Sequence, residues 1–192
     1  IIQHDLEMLA GAELPWSRLA GKSIMVTGGG GFLASYLVKT LLVADNIHDL
    51  GLSVICVTRS ELGVQQRLKG FLDVPELALV NHDVSLQLPE DFPAADFIIH
   101  SASQASPKFY GTDPVGTLKV NSVGTMHLLE HAVKHGSDGF LFFSSGEVYG
   151  QPTDDSQPIT ELDYGYMDPI QVRSCYAEGK RIGETMCAAW SH

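Results

Sequence analysis

The chain has 192 residues, 12 of them Lys or Arg and 23 Asp or Glu, for a formal charge of −11. That length suits one domain, and 44% hydrophobic residues are enough for a core, which excludes a disordered chain. An acidic balance without Lys/Arg clusters argues against binding nucleic-acid phosphates and against an electrostatic membrane anchor.

Apolar runs such as Phe97–Ile99 and Phe140–Phe143 are far shorter than the ~20 residues of a membrane span. No basic segment followed by an apolar one opens the chain, so no signal peptide is visible, although the first residue is Ile1 rather than Met. The three cysteines, Cys56, Cys175 and Cys187, are odd in number and lack CxxC spacing. They read as reduced thiols of a cytoplasmic protein, not as a disulfide or zinc framework.

In chain order, residues 1–20 read as an N-terminal lead-in, with Leu14-Pro15-Trp16 packing on the domain surface. Residues 21–192 read as the domain itself. Ser23–Thr27 is a strand and Phe32–Val43 a helix. Ser53–Thr58 is a second strand, Val64–Phe71 a helix and Leu77–Val80 a short third strand. Phe97–His100 is a fourth strand, followed by one long helix over Val115–Val133. Phe140–Ser144 is a fifth strand, Gly150–Asp168 a long loop and Val172–Ala189 the last helix. Short apolar strands alternating with helices predict an α/β fold with a doubly wound parallel sheet of the Rossmann type. Ligands of such a sheet bind at the carboxyl ends of its strands.

After the first strand, Thr27-Gly28-Gly29-Gly30-Gly31-Phe32-Leu33-Ala34 satisfies both G-x-G-x-x-G/A (Gly29, Gly31, Ala34) and TGxxGxxA. Glycines permit positive φ and let backbone N–H groups approach a pyrophosphate at a helix N-terminus. Gly28, Gly31, Phe32 and Leu33 are therefore candidate dinucleotide contacts. A second strand that serves NAD ends in an acid for the ribose hydroxyls. Here it ends Val57-Thr58-Arg59-Ser60. Arg59 either meets the 2′-phosphate of NADP or is a solvated bystander beside NAD.

Tyr176-Ala177-Glu178-Gly179-Lys180 places a Tyr and a Lys at i and i+4, on one helix face. A nearby ammonium favours the tyrosinate, which makes the phenol a usable base, and the Lys can also bind a cofactor ribose. Ser145, after the fifth strand, offers a hydroxyl to orient the substrate oxygen. Other clusters carry less. His127, His131 and His135 have metal-compatible i, i+4, i+8 spacing but no suitably placed carboxylate, and are expected at a surface or an interface. Asp91 with Asp96, and Asp154-Asp155, are expected to be solvated, and Cys175 to be a packing residue.

Together these residues resemble the extended short-chain dehydrogenase/reductases of the nucleotide-sugar epimerase/dehydratase type, from about Lys22 to Trp190. Within that group the chain is most similar to the UDP-glucuronate decarboxylases (UDP-xylose synthases). The matching stretches are His82-Asp83-Val84, His100-Ser101-Ala102-Ser103 with Ala105-Ser106-Pro107, and Thr117-Leu118-Lys119-Val120-Asn121. Two more are Ser144-Ser145-Gly146-Glu147-Val148-Tyr149-Gly150 and Arg173-Ser174-Cys175-Tyr176-Ala177-Glu178-Gly179-Lys180-Arg181.

The resemblance implies a cofactor, NAD or NADP, bordered at its adenine by Asp83 and Val84 and at its nicotinamide side by Ser101, Ala102 and Ser103. It implies Lys119 reaching substrate or cofactor, Tyr176 as the base for the sugar 4-hydroxyl, Lys180 as its partner and Ser145 as helper. Hydride transfer from sugar C4 then gives a 4-keto sugar, probed further by Glu147. A 4,6-dehydratase carries Asp-Glu where this chain has Gly146-Glu147, so dehydration is disfavoured. Glu147 fits the decarboxylases, where it would position the sugar or manage protons; otherwise it is a carboxylate that caps the loop or pairs with Arg173. The expected reaction is decarboxylation of a UDP-glucuronate-like substrate. The alternatives are a 4-epimerase, a 4,6-dehydratase, or a dinucleotide-binding module without turnover.

Departures from the pattern are Thr58 for an acid, Gln104 for a Pro and Ala34 for a Gly. Members of the group continue well past the YxxxK helix, so most of a substrate subdomain is expected outside these 192 residues. The resemblance also implies a homodimer, with no nucleic-acid or membrane partner.

Overall fold

A computed structural model describes residues 2–151 and 158–192. The strands are β1 (Ser23–Thr27), β2 (Ser53–Thr58), β3 (Leu77–Asn81), β4 (Phe97–His100) and β5 (Gly139–Phe142). They form one sheet in the order β3-β2-β1-β4-β5. β1 pairs in parallel with β2, with Thr27 opposite Val57, and with β4, with Thr27 opposite His100; β2 pairs in parallel with β3. The chain thus starts in the middle, winds outward to β3, and crosses back to β4. The reversal between β1 and β4 is the topological switch point at which such sheets bind ligands.

The helices are α1 (Ile2–Ala10), α2 (Phe32–His48), α3 (Glu61–Arg67), α4 (Pro107–Thr112), α5 (Pro114–Asn121), α6 (Val123–His135) and α7 (Cys175–Trp190). None of them is long and apolar enough to cross a membrane. The expected parallel, doubly wound sheet with flanking helices is what the chain forms. The chain divides into two compact units. The first comprises residues 1–83, 88–102 and 130–141, and the second residues 84–87, 103–129 and 142–192.

The core of the first unit is built from Ile24 and Val26 of β1, Val54 and Cys56 of β2, and Ala34, Val38, Leu41 and Leu42 of α2. Both central strands are apolar on successive residues, as strands covered on both faces are. At the amino ends of the strands the polar chemistry is concentrated on one carboxylate. Asp96 accepts from the Ser23 N–H and hydroxyl, both at 2.7 Å, and from Lys22 Nζ at 3.3 Å. Lys22 also reaches Asp138 at 2.8 Å. The starts of β1, β4 and β5 are thereby tied together. Asp96 is thus a structural anchor and not the solvated loop acid that the sequence suggests.

Several boundaries differ from the sequence reading, each for a local reason. The lead-in contains α1, which buries Leu6 and Ala10, and a 3₁₀ turn over Trp16–Leu19. His48 at the end of α2 bonds the Ala10 carbonyl at 2.8 Å and stacks on Trp16, so α2 runs on past Val43 to reach it. α3 starts earlier than Val64 because Ser60 caps it, accepting from the Gly63 N–H.

The expected single helix over Val115–Val133 is two, broken at Ser122. Asn121 Nδ2, Ser122 Oγ and Thr125 Oγ1 each donate to the carbonyl four residues back, at 2.9, 2.7 and 2.7 Å. Such bonds compete with the backbone ladder and bend helices. The expected last helix opens as a 3₁₀ turn, Val172–Ser174, before α7. In the long loop, Gln151 forms an isolated antiparallel bridge with Tyr166. Asp154 and Asp155 lie outside the described residues.

Asp96 is held down to about 2 by the Ser23 bonds first and Lys22 after them. Its folded value lies below its ordinary 3.8, so its contribution is complete above about pH 4 and is lost as pH falls through 2. Asp96→Asn should lower the urea midpoint at pH 7. The gap from the native protein should close between pH 4 and pH 2, measured by circular dichroism at each pH.

Candidate functional site

The glycine loop belongs to the first unit. Gly28 N–H and Gly29 N–H both donate to the Val57 carbonyl, at 2.8 and 3.2 Å, and Gly31 N–H donates to the Gly28 carbonyl at 2.7 Å. Gly28 takes φ +75°, and a Cβ there would lie 2.7 Å from Ala102 Cα. At Gly29 a Cβ would lie 2.0 Å from Cys56 Sγ. Gly28 therefore excludes a side chain, and at Gly29 a side chain would have to displace the Cys56 thiol. The turn delivers the chain into α2, where Phe32 and Leu33 are exposed and the first-turn N–H groups have no partner within the helix.

The loop after β4 is stitched to the end of β1. Ser101 Oγ donates to the Thr27 carbonyl at 2.6 Å, Ala102 N–H donates to Thr27 Oγ1 at 3.2 Å, and Thr27 Oγ1 bonds His100 Nδ1 at 2.8 Å. Gly28, Gly31, Phe32, Leu33, Ser101 and Ala102 are thus assembled at the carboxyl ends of β1 and β4. The donor set fits a dinucleotide: open amides at a helix start, and a backbone with no side chains in the way.

At the end of β2, Thr58 Oγ1 is turned onto its own turn, accepting from the Ser60 N–H at 3.1 Å. The Arg59 guanidinium bonds Asp83 at 3.2 Å. The sequence left Arg59 either at a 2′-phosphate or solvated, and the resemblance put Asp83 at the adenine; the fold places Arg59 and Asp83 on each other. Two of the three clustered histidines bond carbonyls, His127 that of Val84 and His131 that of Pro93 at 3.0 Å; His131 is buried, and its ring lies tilted against that of His135. Among the described residues, no group of three or more His, Cys, Asp or Glu is placed to hold a metal.

The second unit holds Val84, Ser103, Lys119, Ser145, Glu147, Tyr176 and Lys180. Val84 is buried under α6, close to Gly124, and its carbonyl takes a bond from His127 Nδ1 at 3.1 Å. Lys119 is exposed on α5. Ser103 Oγ is buried with no partner among the described residues. Gln104, the residue in place of a Pro, is buried and pinned: its Nε2 donates to Asp113 at 3.0 Å and its Oε1 accepts from Thr117 at 3.0 Å.

Tyr176 and Lys180 face each other along the first turns of α7, and both are buried. Lys180 is 2% exposed, so its ammonium needs a local partner. It donates to the Phe143 carbonyl at 2.5 Å and lies 4.5 Å over the Phe142 ring and 5.9 Å over that of Tyr176. Burial pushes it down to about 8. Gly179 makes the close seat possible, since a Cβ there would lie 3.0 Å from Asn121 Cβ. Ser145 caps a 3₁₀ turn over Gly146–Tyr149, accepting from the Glu147 N–H at 3.3 Å. That bond uses the Ser145 oxygen and leaves its O–H to donate.

Glu147 is gripped by both ends of the Arg173 guanidinium, at 2.8 and 3.1 Å, on the wall of a cavity of about 410 Å³. Of the two roles the sequence left open for Glu147, the pairing with Arg173 is present. Sequence reasoning missed Tyr110, which α4 places in ring-to-ring contact with Tyr176 at 4.8 Å. Ser106 followed by Pro107 is a helix-start signal that marks α4.

The sequence of the NAD dependent epimerase/dehydratase family matches residues 24–192. The chain belongs to this family. Among curated members, UDP-glucuronic acid decarboxylase 6 of Arabidopsis thaliana is 40% identical over 163 residues, 85% of this chain and 44% of that protein. UDP-glucuronic acid decarboxylase 1 of Xenopus tropicalis is 37% identical over 169 residues, 88% of this chain and 37% of that protein. The chain therefore spans less than half the length of these relatives. Among solved structures, DesIV (dTDP-glucose 4,6-dehydratase) of Streptomyces venezuelae, with NAD and TYD bound, shares a TM-score of 0.72 and 26% identity over 88% of this chain and 51% of that one. A UDP-galactose 4-epimerase shares a TM-score of 0.67 and 29% identity over the same shares.

Two outcomes follow for this family member. Gly29→Ala should destabilise the protein by about 1–3 kcal/mol through overpacking. Cys56→Ala should relieve part of that loss, giving a double variant more stable than the two single effects predict; thermal unfolding of all four proteins checks it. For Lys180 the folded value lies below the ordinary 10.5, so the burial penalty is in full force below about pH 8. It is relieved as pH rises to 10.5, because the folded chain releases the proton first. The stability of the native protein relative to Lys180→Met should climb by roughly 3 kcal/mol across that window, read from denaturant midpoints.

Proposed function

We propose that the chain is the dinucleotide-binding and proton-transferring portion of an NAD-dependent nucleotide-sugar enzyme, that it works through a 4-keto sugar, and that the sugar is UDP-glucuronate, decarboxylated at C5. The observation that carries the proposal is the buried Lys180 ammonium lying over the Tyr176 ring, one helical turn along α7. An uncompensated buried cation is costly, and a neighbouring phenolate is the compensation that this arrangement favours.

In this reading Gly28, Gly31 and the first-turn amides of Phe32 and Leu33 hold the pyrophosphate, and Asp83, Val84 and Ser101 to Ser103 line the rest of the cofactor. The unpartnered Ser103 hydroxyl supports that assignment. When bound, NAD supplies a hydride acceptor for sugar C4 and gives the hydride back in the same turnover. Tyr176 takes the proton of the 4-hydroxyl. Lys180 holds positive charge against the phenolate, Ser145 donates to the same sugar oxygen, and Lys119 reaches toward the substrate.

With C4 a ketone, the C6 carboxylate belongs to a β-keto acid. The C5–C6 bond breaks, CO₂ leaves, and the bonding pair settles on the ketone oxygen as an enolate. C5 then takes a proton and the ketone is restored. Orientation supplies most of what this step needs. Glu147, steadied by Arg173, orients the sugar or passes that proton. The decarboxylase names of the relatives support this substrate, as does Gly146 where a dehydratase carries an acid.

NAD is preferred over NADP because Asp83 already engages Arg59. A cytoplasmic homodimer belongs to the same reading, supported by the three unpaired cysteines and the family resemblance.

The test uses the full-length protein. Mass spectrometry of nucleotides released on denaturation should find NAD. Incubation with UDP-glucuronate should give a product lighter by one CO₂, with no net change in NADH absorbance. Tyr176→Phe should cut turnover by about 10²-fold or more while nucleotide content stays unchanged. An epimerised or dehydrated product would replace the decarboxylase with that reaction. Bound nucleotide without turnover of any nucleotide sugar would leave a binding module.

A further inference from the structure

We infer that Tyr110 is a positioning residue for Tyr176, its ring fixing the plane of the phenol that receives the substrate proton, with the Glu147–Arg173 pair holding Tyr110 in place. The inference rests on the reading of Tyr176 as the base.

Four side chains of the second unit form one connected column. The Arg173 guanidinium, gripped by Glu147 at 2.8 and 3.1 Å, lies 5.4 Å over the Tyr110 ring. The Tyr110 ring stacks on that of Tyr176 at 4.8 Å with planes 15° apart. Tyr110 is 3% exposed, although it sits in the six-residue α4, too short to be held by its own ladder. What holds it is the column, plus its own hydroxyl, which donates to the Ala105 carbonyl at 3.2 Å.

A phenol that acts as a base must aim the in-plane lone pairs of its oxygen at one sugar hydroxyl; the oxygen lies on the axis of the second torsion, so turning the ring changes that aim and not the oxygen's position. The second torsion of a tyrosine is broad and nearly two-fold, so the ring does not fix its own plane. A parallel ring against its face does. Poor alignment of a catalytic group costs up to about two orders of magnitude in rate. The column also separates the roles of the two phenols. Burial and the charge of Glu147 push Tyr110 up to about 12, and its proton is already committed to Ala105. Tyr110 therefore stays a neutral wall and does not compete for the substrate proton.

The experiment compares Tyr110→Phe, Tyr110→Leu and Arg173→Gln in the full-length protein with NAD and UDP-glucuronate. Tyr110→Phe keeps the stack and should hold kcat within about threefold. Tyr110→Leu removes it and should lower kcat by about 30–100-fold, leave KM within about threefold, and move the pH profile of kcat/KM. Arg173 is exposed enough that its Gln variant should fold even if Tyr110→Leu does not; its kcat should fall several-fold at unchanged KM.

A raised KM with kcat retained in either Tyr110 variant would make Tyr110 a direct sugar contact and overturn the inference. So would a Tyr110→Leu protein with native kcat and pH profile, or a Tyr110→Phe protein as impaired as the Leu one. If Tyr176→Phe retains activity, or the native protein turns nothing over, both readings fall. If Tyr176→Phe is inactive and the Tyr110 variants are unaffected, only the positioning role falls.

Discussion

The first unit depends on how closely two backbones approach at the carboxyl ends of β1 and β4. Gly28 and Ala102 meet so tightly that a single carbon on Gly28 would lie 2.7 Å from the Ala102 backbone. The approach is locked by Thr27, whose hydroxyl and carbonyl together engage His100, Ala102 and Ser101. The loops are held by backbone, by the hydroxyls of Thr27 and Ser101 and by the His100 ring, with glycines at the closest approach. Glycines there let a phosphate group be met by amide N–H groups.

The second unit solves a different problem. It buries a cation, Lys180, among aromatic faces and one carbonyl, where no carboxylate bonds it. An isolated ammonium in such a place is a standing cost to stability. The unit tolerates that cost with partial compensation from the Phe143 carbonyl and the Phe142 ring. A group held in this way responds strongly to any charge that arises beside it, which an ordinary surface lysine would not.

Much of the fold was legible because the signals were local. β1 and β2 are apolar runs bounded by Gly or Arg, and the glycine loop sits between a strand and a helix. The Tyr176–Lys180 spacing was legible for the same reason, since four residues on a helix are neighbours. What escaped was set by contacts across sequence distance. Ser122 breaks a stretch that read as one helix, and only the returning side-chain bonds show why. Asp96 looked like any loop acid until Ser23, 73 residues away, was placed on it. Tyr110 carries no motif; its meaning lies wholly in the ring it touches. The Arg59–Asp83 pair was invisible for the same reason.

The ionic tie among Lys22, Asp96 and Asp138 sits at the amino ends of the strands, the edge opposite the glycine loop. The two rims of the sheet are thus held by different chemistry, charge at the amino ends and neutral hydrogen bonds around Thr27 at the carboxyl ends. Salt and acid should therefore loosen the first rim and leave the second in place.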